Sequence, residues 1–480
     1  MFRSTLLYLP AQLTGPLLQF LSVVIWAQTL SPAEVGVVTL IIALQEILFA
    51  ALLMWWSHYM LRNIRKFSLN NSRSTFLKTE LFAVAVSVFM QIVVSITIIA
   101  VYFDKNIIIP SYYIIVAFMI SRSMSNYISE RARAESMISL YSIMQILSPG
   151  LGLFISMVFL KFWQANAAAV LLGFTIAQFV SLAIGFVICD FGRAVPYLDK
   201  QILIQALKFG IPVMIASTIA LVALNAPRFI VDHLVGIEAA GVFAIGYSLG
   251  LRASNFAVML VTAGAYPLVV KKMVEEGLES AYEQLRKNII LVTIVVCPVA
   301  AGLIAINHDL IMLIVGKQFQ EATFQVLPFT ALAGLFRYLR GHTTDQVFLI
   351  NSKPIYTTII SVLDLAMALV SAFIGVYLFG LVGGALGPMV SGFTTLIVSF
   401  LLCKGFGFRP PVSAMSLACV SAALMALPIY YLPHTVNWLL LAIKVITGAA
   451  IYVLLIALLM PSERKTILSL VRGRRFVAAA

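Results

Sequence analysis

The chain has 480 residues, 61% of them hydrophobic and 11% charged, with a mean hydropathy of +1.02 and a formal net charge of +13. A soluble domain carries about 25% charged residues, so the composition excludes a water-soluble enzyme and leaves the bilayer as the solvent. The excess of cations does not signal nucleic acid, because the basic residues sit in loops between apolar spans, where they set membrane orientation.

Fourteen membrane-spanning helices are predicted in chain order, each near the roughly 20 residues a bilayer needs. They cover 5–29, 35–60, 80–102, 107–129, 136–160, 166–189, 209–231, 240–269, 288–313, 322–350, 355–379, 382–403, 413–432 and 437–460. The first is longer than the core of a signal peptide and has only Arg3 before it, so it is expected to remain in the protein. The 240–269 and 322–350 spans are long enough to tilt or bend. Gly15-Pro16, Cys297-Pro298 and Gly387-Pro388 interrupt spans, which requires neighbours or a cavity to satisfy the freed backbone groups.

The chain restarts near its middle. Pro10 opens an apolar span that ends in LSPAEVGVVTLIIAL, and Pro212 opens one that ends in VGIEAAGVFAIGYSL. Aligning Gly36 with Gly241 gives an offset of 205 residues. Two bundles built from one ancestral unit would produce this pattern.

With the N-terminus placed in the cytoplasm, the inward loops hold 23 basic residues and the outward loops hold only Lys105, Lys161 and Lys317. That bias supports an even number of spans and cytoplasmic termini. The inward set includes Arg131 and Arg133. The inward loop Lys271–Lys287 reads as an amphipathic surface helix. Asn70-Asn71-Ser72 matches a glycosylation sequon but falls in an inward loop. The outward loops are short, with no room for an outer catalytic domain.

No catalytic signature is present. His58, His233, His308, His342 and His434 are scattered without metal-ligand spacing, and Cys189, Cys297, Cys403 and Cys419 read as packing residues. The glycines in Leu381–Gly387 suit close helix packing rather than a phosphate loop. Neither a cofactor nor a metal is expected.

The informative residues are charges inside spans. An ionisable group at the bilayer centre costs about 2.5–3.5 kcal/mol on insertion scales, so it faces a cavity or a partner. Glu46, Arg122, Arg252, Arg337, Arg340 and Asp364 occupy such positions. Arg337 and Arg340 share one helix face with Thr344. Arg252, Arg337, Arg340 and Arg122 are candidates for a cationic cavity, and arginine's planar fork suits phosphate. Glu46 and Asp364 are either counter-ions to the arginines or sites that couple transport to an ion. Lys444, near an outer end, is expected to snorkel to the surface, and Arg228 with Asp232 reads as a structural pair.

Several segments resemble the polysaccharide-exporter branch of the multidrug/oligosaccharidyl-lipid/polysaccharide (MOP) exporter superfamily, the Wzx-like O-antigen and capsule flippases. They are Leu30-Ser31-Pro32-Ala33-Glu34-Val35-Gly36, Leu207-Lys208-Phe209-Gly210-Ile211-Pro212, Pro227-Arg228-Phe229-Ile230, Leu234–Phe243 and Val315-Gly316-Lys317-Gln318-Phe319. The span layout extends the likeness over nearly the whole chain. The family often has Asp before the arginine matched by Arg228, where this chain has Pro227.

The resemblance implies an all-α polytopic membrane protein of two pseudo-symmetric six-helix bundles, residues 1–206 and 207–404, flanking a central cavity. Residues 405–480 would add two helices and a basic cytoplasmic tail. It implies a transporter, not an enzyme, in the bacterial inner membrane. The substrate would be an undecaprenyl-diphosphate-linked oligosaccharide, moved between leaflets by alternating access. The lipid bilayer, a polysaccharide polymerase and chain-length proteins are the partners such a role implies; nucleic acid is not one. Three alternatives stand beside it: a cation-coupled multidrug exporter of the same superfamily, a peptidoglycan lipid-intermediate flippase, and a membrane-embedded polysaccharide polymerase or ligase.

The loop charges give the first testable outcome. Single cysteines at Lys105 and Lys317 should react with a membrane-impermeant reagent added outside intact cells, and those at Arg73 and Arg472 should not. Outside labelling at Arg472 would make the number of spans odd.

Overall fold

The computed structural model describes residues 2–69, 73–102, 112–189, 191, 195–434 and 436–460. Among them the regular structure is entirely helical. In chain order the helices are α1 Phe2–Thr29, α2 Pro32–Leu52, α3 Met54–Leu69, α4 Arg73–Tyr102, α5 Tyr112–Ala134, α6 Ile138–Phe162, α7 Ala167–Ile188 and α8 Lys200–Val235. There follow α9 Ile237–Glu275, α10 Leu278–Ala305, α11 Asn307–Ile314, α12 Lys317–His342, α13 Thr344–Ile350, α14 Ile355–Lys404, α15 Val412–Tyr431 and α16 Trp438–Leu459. The sequon and the basic C-terminal tail lie outside the described residues.

Among the described residues, ten helices are long and apolar enough to cross a membrane. The chain is an all-α polytopic membrane protein. One of the ten, α14, holds two predicted spans, because Gly380 breaks it with φ 57° and ψ −134°. Its halves fold back on each other. A Cβ on Gly375 would lie 2.5 Å from the Gly383 carbonyl oxygen, and Ser371 Oγ donates to the Gly387 carbonyl at 3.0 Å. The glycine run is therefore a packing surface, as the sequence suggested. Helices α5 and α12 are absent from the ten. They carry Arg122 and the Arg337–Arg340 pair, which lower their mean hydropathy.

Three predicted spans are broken rather than continuous: 35–60 at Leu53, 288–313 at Ile306 and 322–350 at Thr343. The last break has a visible cause. The hydroxyls of Thr343 and Thr344 bond back to the carbonyls of Leu339 and Arg340, competing with the backbone ladder. The loop expected to be an amphipathic surface helix, Lys271–Lys287, is instead the end of α9 and the start of α10, joined at Glu276 and Gly277, where Gly277 takes φ +90°.

The described chain forms two compact units. One spans Leu7–Asp232 and Ile237–Gly241; the other holds the described residues up to Leu6, His233–Gly236 and the described chain from Val242. In the first, a core forms around Trp56, Phe76, Tyr127, Met144 and Phe191. In the second, α15 and α16 bring Ala418, Ala422, Met425 and Tyr452 against Val292, Val296 and Cys297 of α10. Phe89, Phe154, Phe373 and Tyr377 are exposed, as lipid-facing side chains should be.

The LSPAEVG segment has a physical role at each step. Ser31 caps α2 by accepting from the Glu34 amide at 3.4 Å, and Pro32 opens the helix. The Glu34 carboxylate accepts from the Ala167 amide, placing a negative charge at the positive N-terminal end of α7. Gly36 then allows contact with the second repeat. A Cβ on Gly36 would lie 2.3 Å from the Ile237 carbonyl oxygen, and a Cβ on Gly241 would lie 1.8 Å from the Pro32 carbonyl oxygen. Residues 32 and 237 are 205 apart, like 36 and 241. The two contacts are therefore one contact made reciprocally, and the sequence repeat meets itself.

A side chain at either glycine must push backbone away from backbone. Gly241→Ala should lower stability by about 1–3 kcal/mol, the usual cost of overpacking, read as a fall in the thermal midpoint of the detergent-purified protein. Gly341→Ala, with nothing within 4 Å of the new methyl, should leave the midpoint unchanged.

Candidate functional site

The structure gathers the candidate charges into two groups, one in each unit. In the second unit Arg337 and Arg340 leave the same face of α12, one turn apart, and converge on Asp364 of α14. Arg337 Nη2 donates to Asp364 Oδ1 at 3.0 Å, and Arg340 Nη1 lies 3.4 Å from Oδ2. Ser391, from the returning half of α14, donates to Oδ1 at 2.9 Å. The Asp364 side chain is only 3% exposed, against 12% for Arg337 and 8% for Arg340. A second acid, Asp345, lies 3.7 Å from Arg340 Nε. The break at Thr343 turns α13 so that this aspartate can reach back.

In the first unit Arg122 Nη2 lies 3.8 Å from Glu46 Oε1, with the guanidinium 5.8 Å from the centre of the Phe118 ring. Asn225 donates to Glu46 Oε2 at 3.4 Å and accepts from Arg228 Nη1 at 2.7 Å. Glu46 is a third exposed, so this pair is wetter than the one in the second unit. Gln45, the next residue, is fully buried and donates to Ser123 Oγ at 2.9 Å. Arg252 is half-buried on α9 in the second unit.

Both mid-membrane acids thus have arginine partners. The pairings are Arg122 with Glu46 and Arg337–Arg340 with Asp364, and they lie within units rather than across the aligned repeat.

Two further charged clusters escape sequence reasoning. Arg131, expected in an inward loop, is 1% exposed. Its Nε lies 2.9 Å from Glu80 Oε1, its Nη1 lies 3.6 Å from Glu135 Oε2, and its guanidinium sits 4.6 Å from the centre of the Phe191 ring. Tyr127 donates to the same Glu80 oxygen and accepts from Trp56 Nε1 at 3.1 Å. The signal was present: Tyr127 and Arg131, four residues apart, share one face of α5, and Glu135 follows four residues later, just past the helix end. Lys444, expected to snorkel, instead turns inward. It donates to Asp309 and to the Pro433 carbonyl, the latter at 2.9 Å. Asp309 is 1% exposed, so turning the ammonium outward would leave a buried carboxylate unpaired.

Comparison with known proteins fits this architecture. Residues 25–324 match the sequence profile of a family described as polysaccharide biosynthesis protein. The chain belongs to that family.

No individual curated protein matches this family member in sequence. Its fold is that of the MOP superfamily transporters. It is similar to the lipid II flippase MurJ in an inward closed conformation, with a TM-score of 0.73 at 15% identity, covering 96% of this chain and 100% of that one. It is also similar to an inward-facing multidrug resistance MATE family transporter, with a TM-score of 0.60 at 15% identity over 86% of this chain and 99% of that one. A MOP superfamily transporter from Pyrococcus furiosus gives a TM-score of 0.56 at 15% identity over 86% of this chain and 96% of that one. The profile gives the family, and these structures give the fold.

The shared carboxylate of the second unit sets an order of sensitivity. Asp364→Ala leaves two guanidiniums on one face without their common acceptor and should cost about 3–5 kcal/mol. Arg337→Ala leaves Asp364 held by Arg340 and Ser391 and should cost less. Thermal unfolding of the purified variants should rank them so.

Proposed function

We propose that this protein is an exporter that moves a polyprenyl-diphosphate-linked oligosaccharide, of the undecaprenyl type, from the cytoplasmic to the outer leaflet of the bacterial inner membrane by alternating access. Functional halves 1–206 and 207–404, with 405–480 appended, and cytoplasmic termini belong to the same reading. The observation that carries it is an arginine pair at membrane depth in a chain of the polysaccharide biosynthesis family. Two guanidiniums held by one carboxylate form a preorganised fork. A diphosphate presents the same planar oxygen pairs as a carboxylate, with more charge. It can displace the Asp364 carboxylate without the arginines first being stripped of a partner, which avoids the large cost of an unpaired charge in a low dielectric. A multidrug exporter of cations would gain nothing from such a fork.

Arg252 and Arg122 are assigned to the same attraction of anionic headgroups. The two acids differ in role. Asp364 is nearly buried under two arginines and serves as their counter-ion. Glu46, a third exposed and facing one arginine at 3.8 Å, is the acid placed to exchange a proton.

A headgroup-translocation assay in proteoliposomes tests both assignments. Arg252→Ala and Arg337→Ala should each slow translocation at least tenfold while the protein remains folded and at normal membrane level. Glu46→Gln should abolish the dependence of the rate on a pH gradient. Folded arginine variants that translocate at the wild-type rate would remove these residues from the substrate path. A gradient dependence unchanged in Glu46→Gln would leave Glu46 as a structural partner of Arg122.

A further inference from the structure

We propose that His308, Asp309 and His434 form a binding site for one divalent transition-metal ion of the zinc class, at the corner where α10 passes into α11. The proposal stands apart from the transport reading.

The three ligand atoms, one from each residue, lie within 4.8 Å of one another. His434 Nδ1 is 3.5 Å and His308 Nδ1 is 3.9 Å from Asp309 Oδ1. Both are longer than a good hydrogen bond. Zinc bonds of about 2.0–2.2 Å place tetrahedral ligands about 3.3–3.5 Å apart, so the His434 distance already suits a shared ion and His308 would draw in slightly on binding. The histidine rings themselves are 4.3 Å apart, centre to centre.

Three observations show that the corner is built rather than accidental. The His308 ring stacks on Phe324 at 5.1 Å and 7°, which fixes its direction. Its Nδ1 is shielded from solvent and has no hydrogen-bond partner; a buried ring nitrogen in that state calls for a ligand. Lys444 takes the other oxygen of Asp309 and also the Pro433 carbonyl, so one ammonium both orients the carboxylate and delivers the neighbouring His434 to it. Outer partners of this kind orient ligands in known metal sites.

The donor set selects the ion. Two neutral imidazoles and one carboxylate suit zinc and its first-row neighbours, whereas magnesium and calcium prefer oxygen donors throughout. Three protein ligands leave a fourth position for water. The ion would tie the connection between α15 and α16 to the α10–α11 corner, adding to the apolar contact by which these two helices dock on α10. Sequence spacing hid the site, because the two histidines are 126 positions apart.

The test uses the full-length chain in detergent, stripped with a chelator and then titrated with Co2+ and Zn2+. One equivalent of Co2+ should give the intense visible bands of four-coordinate cobalt, and Zn2+ should displace it. Zn2+ should also raise the thermal midpoint. His434→Ala, at a half-exposed side chain outside the helices, and His308→Gln should each weaken Zn2+ binding at least tenfold and abolish the shift in midpoint. His342→Ala should do neither. Absence of saturable binding to the wild type, or equal binding by the folded His308→Gln/His434→Ala double variant, would overturn the proposal.

Discussion

An ionised side chain at bilayer depth must find its counter-charge within the protein, and much of this structure follows from that. An unpaired charge in a low dielectric costs several kcal/mol even after relaxation. The structure meets the requirement in at least four places among the described residues. Glu80 holds Arg131, Glu46 holds Arg122, Asp364 holds Arg337 and Arg340, and Asp309 holds Lys444. Each pairing joins different helices, so each also fixes how those helices pack. The α12–α13 break brings Asp345 back toward Arg340, and the hairpin of α14 brings Ser391 onto Asp364.

The pairs are not equivalent. The Glu80–Arg131 group is dry and enclosed by Trp56, Tyr127 and Phe191, and it has the character of a structural staple. The Asp364 group is nearly as buried but offers two cations to one primary acceptor. That asymmetry is what the proposed exchange of partners with a diphosphate would use. Glu46 and Arg122 are farther apart and partly wet, so their contact is the most readily broken. Exposure and stoichiometry, rather than charge alone, separate staple from candidate site.

Much of the architecture was legible because it is written in composition and period. Apolar stretches of bilayer length marked the helices. The Gly36/Gly241 offset marked a repeat that the structure realises as a reciprocal contact through the Pro32 and Ile237 carbonyls. Breaks within spans were not legible, because Leu53, Ile306 and Thr343 carry no sequence signature of a helix end, and the hydroxyl back-bonding at Thr343 and Thr344 shows only in the structure. The intramembrane arginines could be singled out from hydropathy, but their partners could not. Asp364 lies 27 positions from Arg337, on another helix, and no spacing rule joins them. Lys444 was misread because depth alone favours snorkelling, whereas Asp309 decides its direction from 135 positions away. Arg131 was misread because position near a helix end does not reveal burial.

The proposed function requires the chain to carry an anionic lipid-linked glycan rather than a cationic drug. Proteoliposomes holding the purified protein can be supplied in parallel with a fluorescent polyprenyl-diphosphate oligosaccharide and a cationic dye. Protein-dependent movement of the glycan headgroup, slowed by a competing polyprenyl diphosphate, is expected, with no movement of the dye. Dye transport without headgroup translocation would contradict that function.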